Sequence, residues 1–260
     1  MTGDGVNDIL ALKEADCAVS VASGSEAARN VSHLVLMDNN FLNLPNVVYE
    51  GRRVINNIKA SASLYIMKTL FTVLLAVFCF ALGSQYFFTT NNMLLFETLV
   101  TALPSLVLAL QPNGDRVKGK FIPFVLSRSI PGAVTLFLCV LAVYAGIGFL
   151  PGEFGSLRVT IGGETLINPL FVLAVTFGGL VMLYRILQPF NGLRFITYAL
   201  SVGISILVLA VPVLGELVYT GWTDVELTFT QILYIVCIVL AAFPASNLLV
   251  RGCDLMNPSE

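Results

Sequence analysis
Six runs of apolar residues, each long enough to cross a lipid bilayer, dominate the chain from residue 57 onward. A helix needs about 20 apolar residues to traverse the hydrocarbon. Within lipid a spanning segment must satisfy its own backbone hydrogen bonds. The runs fall at about 57–83, 92–110, 130–150, 168–187, 195–214 and 229–250. Only 12% of the 260 residues are charged, 57% are hydrophobic and the mean hydropathy is +0.86. An average soluble domain carries about 25% charged residues. The expectation is a mostly α membrane protein with six transmembrane helices in 57–250. The first run is overlong and is expected to project from the bilayer as a stalk. No internal repeat is evident, so an inverted-repeat transporter is not indicated.

Residues 1–56 form a polar head, and 251–260 a short tail. Within the head, a helix is predicted over about 7–15, then a buried strand over Asp16–Val21. A second helix follows over Ser23–Asn30, and a second strand over Val35–Met37. Alternating strands and helices imply an α/β layer with a parallel sheet. Some fifty residues are too few to build such a layer alone. The head therefore reads as the end of a larger α/β domain.

Charge placement predicts topology. Arg52, Arg53, Lys59, Arg116, Lys118, Lys120, Arg128, Arg185, Arg194 and Arg251 fall on the head side of the runs, and Arg158 alone on the other. Such a bias marks the cytosolic side, so both termini are expected in the cytosol. The opposite segments carry Glu153, Glu164, Glu216, Asp224 and Glu226. The net charge of -2 gives no case for nucleic-acid binding. No signal peptide is expected, because a polar, glycine-rich loop follows Met1. The five cysteines form no CxxC pair, and His33 is the single histidine, so no zinc site or disulfide framework is expected.

The segment most suggestive of chemistry is Thr2-Gly3-Asp4-Gly5-Val6-Asn7-Asp8. It packs two carboxylates, an amide and two glycines into one turn. Glycines let the backbone approach a ligand closely. Carboxylates suit Mg²⁺, which keeps waters and shares phosphate oxygens. A plain surface turn is the alternative, since Asp-Gly and Asn-Asp are common turn pairs.

The longer run from Thr2 to Asp16 resembles the hinge signature of the P-type ATPases, TGDGVNDxxALKxAD, at every fixed position. The resemblance continues through Gly24-Ser25-Glu26-Ala27-Ala28, Asp38-Asn39-Asn40-Phe41, Glu50-Gly51-Arg52-Arg53 and Asn56-Asn57-Ile58-Lys59. It covers about the first sixty residues strongly and the remainder by layout, which is nearest to the calcium-pump-like type II group. It implies a haloacid-dehalogenase-like phosphorylation-domain remnant ahead of the six helices. It also implies ATP-driven cation transport through an aspartyl-phosphate. Asp4 then becomes a Mg²⁺ ligand beside the phosphoryl group, with Asn7 and Asp8 ordering the site. Thr2, Gly3 and Gly5 shape the loop, and Asp8 is a weaker metal ligand. The family's phosphorylated aspartate lies in a DKTGT motif, which this sequence lacks. The expectation is that a missing N-terminal part of the pump supplies it, and that this chain alone is inactive.

Polar groups in the apolar runs mark an ion pathway. Ionisable residues inside bilayer helices are costly and mostly functional. Lys68 lies in the first run and Glu97 in the second, which also carries Leu103-Pro104. Pro104 lacks an amide proton, which frees carbonyls that can line a site. By resemblance to the calcium pumps, Thr69 and Thr72 take positions held there by Asn and Glu. Glu97 takes an Asn position and Thr101 an Asp position. One carboxylate then remains where Ca²⁺ would take six to eight oxygens. The expectation is a pump that moves a proton or monovalent cation, or that returns without a counter-transported ion, with Lys68 pairing Glu97 in the empty state. Counted from the run ends, however, the two lie at different depths, and Lys68 reaching the interface instead is the alternative.

These observations favour the C-terminal part of an ion-motive ATPase in a bacterial plasma membrane. The competing reading is a non-catalytic membrane fragment, or a regulatory subunit of a partner pump. A secondary transporter is disfavoured.

Overall fold
The computed structural model describes residues 1–117, 119–161, 164–219 and 222–256. Lys118 and residues 257–260 of the tail, both invoked above, lie outside the described residues. The chain divides into two compact units: Met1–Arg53 with Gly114–Arg116, and Val54–Asn113 with Val117–Glu260.

In the first unit, a 3-10 turn at Val6–Asp8 leads into helix α1 (Ile9–Glu14). Strand β1 (Val19–Val21), helix α2 (Glu26–Val31) and strand β2 (Leu34–Leu36) follow. β1 and β2 pair in parallel, from Val19 with Leu34 to Val21 with Leu36. Thr2 bridges Val19 on the other side, also in parallel. Parallel neighbours need a crossover between them, and α1 and α2 supply it. The Ser25 hydroxyl caps α2 by accepting from the Ala28 amide at 3.2 Å. Leu12, Ala18 and Ala28 form one small apolar cluster, and Val19, Val21 and Leu36 another. Among the described residues, the expected α/β layer goes no further than this two-stranded sheet and its one-residue bridge.

Helix α3 (Leu44–Ala81) starts well before residue 57 and runs on into the second unit. It ends on Gly83, whose φ of +62° suits a residue without Cβ. There the Ser84 amide donates to Cys79 and the Gly83 amide to Phe80, each at 3.0 Å, closing a Schellman cap. The second apolar run is not one regular helix. A 3-10 turn at Asn91–Met93 is followed by a π-helical segment, Phe96–Ala102, and then α4 (Leu103–Ala109). Next come α5 (Phe121–Phe149) and the short α6 (Pro151–Phe154). An antiparallel hairpin, β3 (Arg158–Ile161) and β4 (Glu164–Ile167), leads to α7 (Pro169–Ile186). Helices α8 (Gly192–Ala210), α9 (Pro212–Gly215) and α10 (Phe229–Met256) complete the unit.

Among the described residues, six helical segments are long and apolar enough to cross a membrane. α7 lies at the centre, with 83% of its span buried. Gly178 and Gly179 permit that position, because a Cβ on Gly179 would stand 2.7 Å from the Phe96 ring. Small residues at such contacts let helix backbones approach. α8 and α10 instead expose Ile196, Leu200, Leu207, Leu233 and Leu240, as lipid-facing helices do. Asn168 opens α7 by accepting from the Leu170 amide at 3.0 Å. Tyr219 and Trp222, in the connection between α8 and α10, are buried. The Tyr219 hydroxyl donates to the Ile167 carbonyl at 2.6 Å, and the Trp222 indole to Leu209 at 3.0 Å.

Candidate functional site
In the first unit, the backbone leaves the Thr2 bridge in the same direction as β1. Asp4 therefore emerges at the carboxyl end of the parallel strands, where ligands sit in open α/β sheets. The Gly3 amide donates to Val19 at 3.0 Å, and the Ser25 amide to the Asp4 carbonyl at 2.7 Å. The second bond joins the loop after the Thr2 bridge to the loop after β1. Oδ2 of Asp8 accepts the amides of Asp4 and Gly5, each at 3.2 Å, and so closes the turn. Gly3 is buried, and a Cβ there would lie 2.6 Å from the Asp8 Cβ. Thr2, Asp4 and Asn7 are exposed, whereas Gly5 and Asp8 are half-buried. Asp4 thus presents its carboxylate outward while Asp8 holds the loop.

In the second unit, Lys68 and Glu97 meet, with Nζ 2.6 Å from Oε1. Their side chains are 31% and 45% exposed in this chain, so the pair lies at an open face rather than in the core. The connection after α3 explains the meeting. Phe87 is buried, with its ring edge-on to Phe78 at 6.2 Å and to Phe171 at 5.2 Å. The chain thus folds back before the next helix begins. Lys68 lies ten residues before Phe78 and Glu97 ten after Phe87, so the contact between the two rings brings the segments that carry them side by side.

The hydroxyls of Thr69 and Thr72 donate back to the carbonyls of Tyr65 and Lys68, each at 3.0 Å. Such back-bonding is common for helical threonines. Thr101 is buried, and its hydroxyl lacks a hydrogen-bond partner among the described residues. Pro104 is buried at the start of α4. In the π register the Leu103 amide donates to Thr98, five residues back. A residue 104 with an amide would donate to Leu99 in that register. The proline cannot, and the Leu99 carbonyl accepts the Ser201 hydroxyl of α8 instead, at 2.8 Å. A second polar link joins the Ser61 hydroxyl to the Ser105 carbonyl at 3.1 Å, with the Tyr65 and Ser105 hydroxyls 3.2 Å apart. Ser201, Ser61 and Tyr65 were not singled out from the sequence, because a lone hydroxyl in an apolar run gives no sign of its partner. Among the described residues, no group of three or more His, Cys, Asp or Glu could hold a metal by itself.

No family model matches the chain. Calcium-transporting ATPase CtpE of Mycolicibacterium smegmatis is 33% identical over 242 residues, covering 88% of this chain and 29% of the relative. Probable cation-transporting ATPase exp7 of Streptococcus pneumoniae is 33% identical over 214 residues, covering 78% of this chain and 26% of its own. The chain belongs to the P-type cation-transporting ATPases. It matches a C-terminal portion of the type II kind, with six apolar helices of membrane-spanning length. CtpE of Mycobacterium bovis is 38% identical over 160 residues, 56% of this chain and 20% of that ATPase. The chain spans less than a third of the length of these P-type relatives.

Proposed function
We propose that this chain is the hinge and membrane portion of an ATP-driven pump that moves cations through an aspartyl-phosphate formed on a DKTGT aspartate outside these residues. The observation that carries this reading is the Lys68–Glu97 pair, a titratable carboxylate held at membrane level by a basic partner. Residues 1–56 are taken as the end of a haloacid-dehalogenase-like phosphorylation domain. Residues 57–250 are taken as the membrane domain, with both termini cytosolic in a bacterial plasma membrane.

At the hinge, the donor set fits Mg²⁺ of the kind bound by one or two carboxylates plus phosphate oxygens. Asp4 would hold it, and Asp8 contributes less because its Oδ2 is committed to the turn. When bound, the ion neutralises charge on a phosphoryl group. Asp8 keeps the turn closed, Gly3 leaves room for it, and Asn7 offers an exposed amide to the same edge.

In the membrane, Lys68 holds Glu97 when no cation is bound. An arriving cation displaces the ammonium and takes the carboxylate. The Thr101 hydroxyl, without a hydrogen-bond partner among the described residues, adds a ligand oxygen beside the irregular backbone before Pro104. Thr69 and Thr72 retain lone pairs toward the same path. The relatives' names favour calcium as cargo, with further oxygens from segments outside this chain. The second reading, a proton or monovalent cation, is favoured by the single carboxylate and its lysine. ATPase activity of the pump containing these residues, measured across Ca²⁺, Mg²⁺, Na⁺, K⁺ and a pH series, separates them. Stimulation by Ca²⁺ alone supports the first. Turnover that follows pH or a monovalent ion supports the second, and no cation dependence contradicts both.

A further inference from the structure
We infer that the cavity between α3, α5, α7 and α10 binds an anionic glycerophospholipid, phosphate at its mouth and acyl chain on its floor. The cavity measures about 690 Å³, within the range of small-molecule sites, about 300–1,000 Å³. Arg128 of α5, Arg185 of α7 and Gln188 just beyond α7 line it. One turn deeper, Met67, Gly132 and Met182 close it. A Cβ on Gly132 would stand 2.5 Å from the Met67 Sδ and 3.7 Å from the Met182 Sδ, so two thioethers and a bare backbone meet there. Polar groups at the helix ends and apolar ones inside make an amphiphile-shaped lining.

Arg185 carries the inference. It lies one residue from the end of α7, half-buried. Among the described residues its guanidinium makes no hydrogen bond or ion pair, although it has five donors to satisfy. An arginine at membrane level without an acceptor is costly. A guanidinium fork matches phosphate oxygens in bidentate fashion. Arg128 is held across the Phe124 ring, 4.8 Å from its centroid, which fixes a second guanidinium at the same cavity. Basic pockets between membrane helices are suited to anionic headgroups. Free phosphate shares that chemistry but has no use for the thioether floor. The floor residue Met67 precedes Lys68, so a bound lipid braces α3 beside the ion pair.

The test uses the full chain purified in zwitterionic micelles. Its unfolding midpoint is followed during titration with dioleoyl-phosphatidylglycerol, dioleoyl-phosphatidylcholine or inorganic phosphate. The expected result is a saturable rise with phosphatidylglycerol alone. Arg185→Gln and Arg128→Gln each weaken the apparent affinity by about tenfold or more, as loss of a charged phosphate contact does. Arg185→Lys falls between, and Arg251→Gln, outside the cavity, binds as the parent does. Should Arg185→Gln fail to fold, Arg128→Gln and native mass spectrometry of retained lipid give the same readout. An equal rise with phosphatidylcholine or with phosphate overturns the inference. So does unchanged phosphatidylglycerol binding in the arginine variants.

Discussion

The Lys68 ammonium stands 2.6 Å from the Glu97 carboxylate, although the two residues lie at unequal distances from the ends of their helices. Lys68 is thirteen residues before the end of α3 at Ala81, and Glu97 six after the turn begins at Asn91. The inward-folded Phe87 removes the difference. A carboxylate and an ammonium at membrane level are each costly alone, and pairing lowers that cost. Lys68→Ala should lower transport by the intact pump, because Glu97 loses its resting partner. Adding Glu97→Gln to Lys68→Ala should restore part of the lost stability. The stability loss should stay below the about 3–5 kcal/mol of a fully buried pair, since both side chains are partly exposed. Unfolding midpoints of the two variants check this, and no recovery in the double variant counts against the pair.

Phe87→Ala should disturb the same pair from a distance. Removing a buried phenylalanine costs about 3–5 kcal/mol, and here it also frees the connection that sets the level of Glu97. The expected outcome is a lower midpoint together with loss of any thermodynamic coupling between Lys68→Ala and Glu97→Gln. A double-mutant cycle in the Phe87→Ala background measures it. Undiminished coupling would show that the fold-back does not set the register.

Much of this was legible in the sequence, and the exceptions share a cause. Apolar runs of spanning length mark the six helices because the bilayer imposes the length directly. The two strands expected over Asp16–Val21 and Val35–Met37 do form, as the shorter Val19–Val21 and Leu34–Leu36, and they pair in parallel. The depth of Glu97 was not legible, because distance along a helix axis fixes depth only if both helices start at the same level. Phe87 in an interior position breaks that condition. The π segment at Phe96–Ala102 was equally hidden. Pro104 signals a freed carbonyl, but that Ser201 receives Leu99 depends on a residue about a hundred positions away. At the hinge, spacing placed Asp4 and Asp8 together without showing that one faces outward and the other closes the turn.

Ser201→Ala should leave the Leu99 carbonyl without its donor in the bundle. Interhelical hydrogen bonds in membranes contribute about 0.6 kcal/mol on average and up to about 1.7. The expected midpoint loss lies toward the upper part of that range, because the proline leaves no backbone substitute. Ser201→Thr keeps a hydroxyl and should retain most of the stability. Equal losses in the two would argue that packing rather than the hydrogen bond matters.

Gly3→Ala should open the hinge loop. The added Cβ would fall 2.6 Å from the Asp8 Cβ, displacing the carboxylate that accepts the Asp4 and Gly5 amides. Faster hydrogen exchange at those two amides is the expected reading. Asp8→Asn keeps an acceptor and should exchange more slowly than Asp8→Ala. Unchanged exchange in Gly3→Ala would contradict the assigned role of Asp8.

Burial pushes the Tyr219 hydroxyl up to about 12 from its usual value of 10. Its folded pKa is therefore the higher one, so its contribution to stability is complete below about pH 10 and is lost as pH rises toward 12. The unfolding midpoint should fall across that window, and Tyr219→Phe should remove this component while losing the bond to Ile167. A pH-independent midpoint between 10 and 12 in the parent would contradict it.

The most direct test of the whole account is ATP-driven cation uptake into vesicles by the pump containing these residues, comparing the parent with Glu97→Gln. The account predicts uptake in the parent that is lost in Glu97→Gln while the protein still inserts and folds. Uptake that persists undiminished in Glu97→Gln would contradict it.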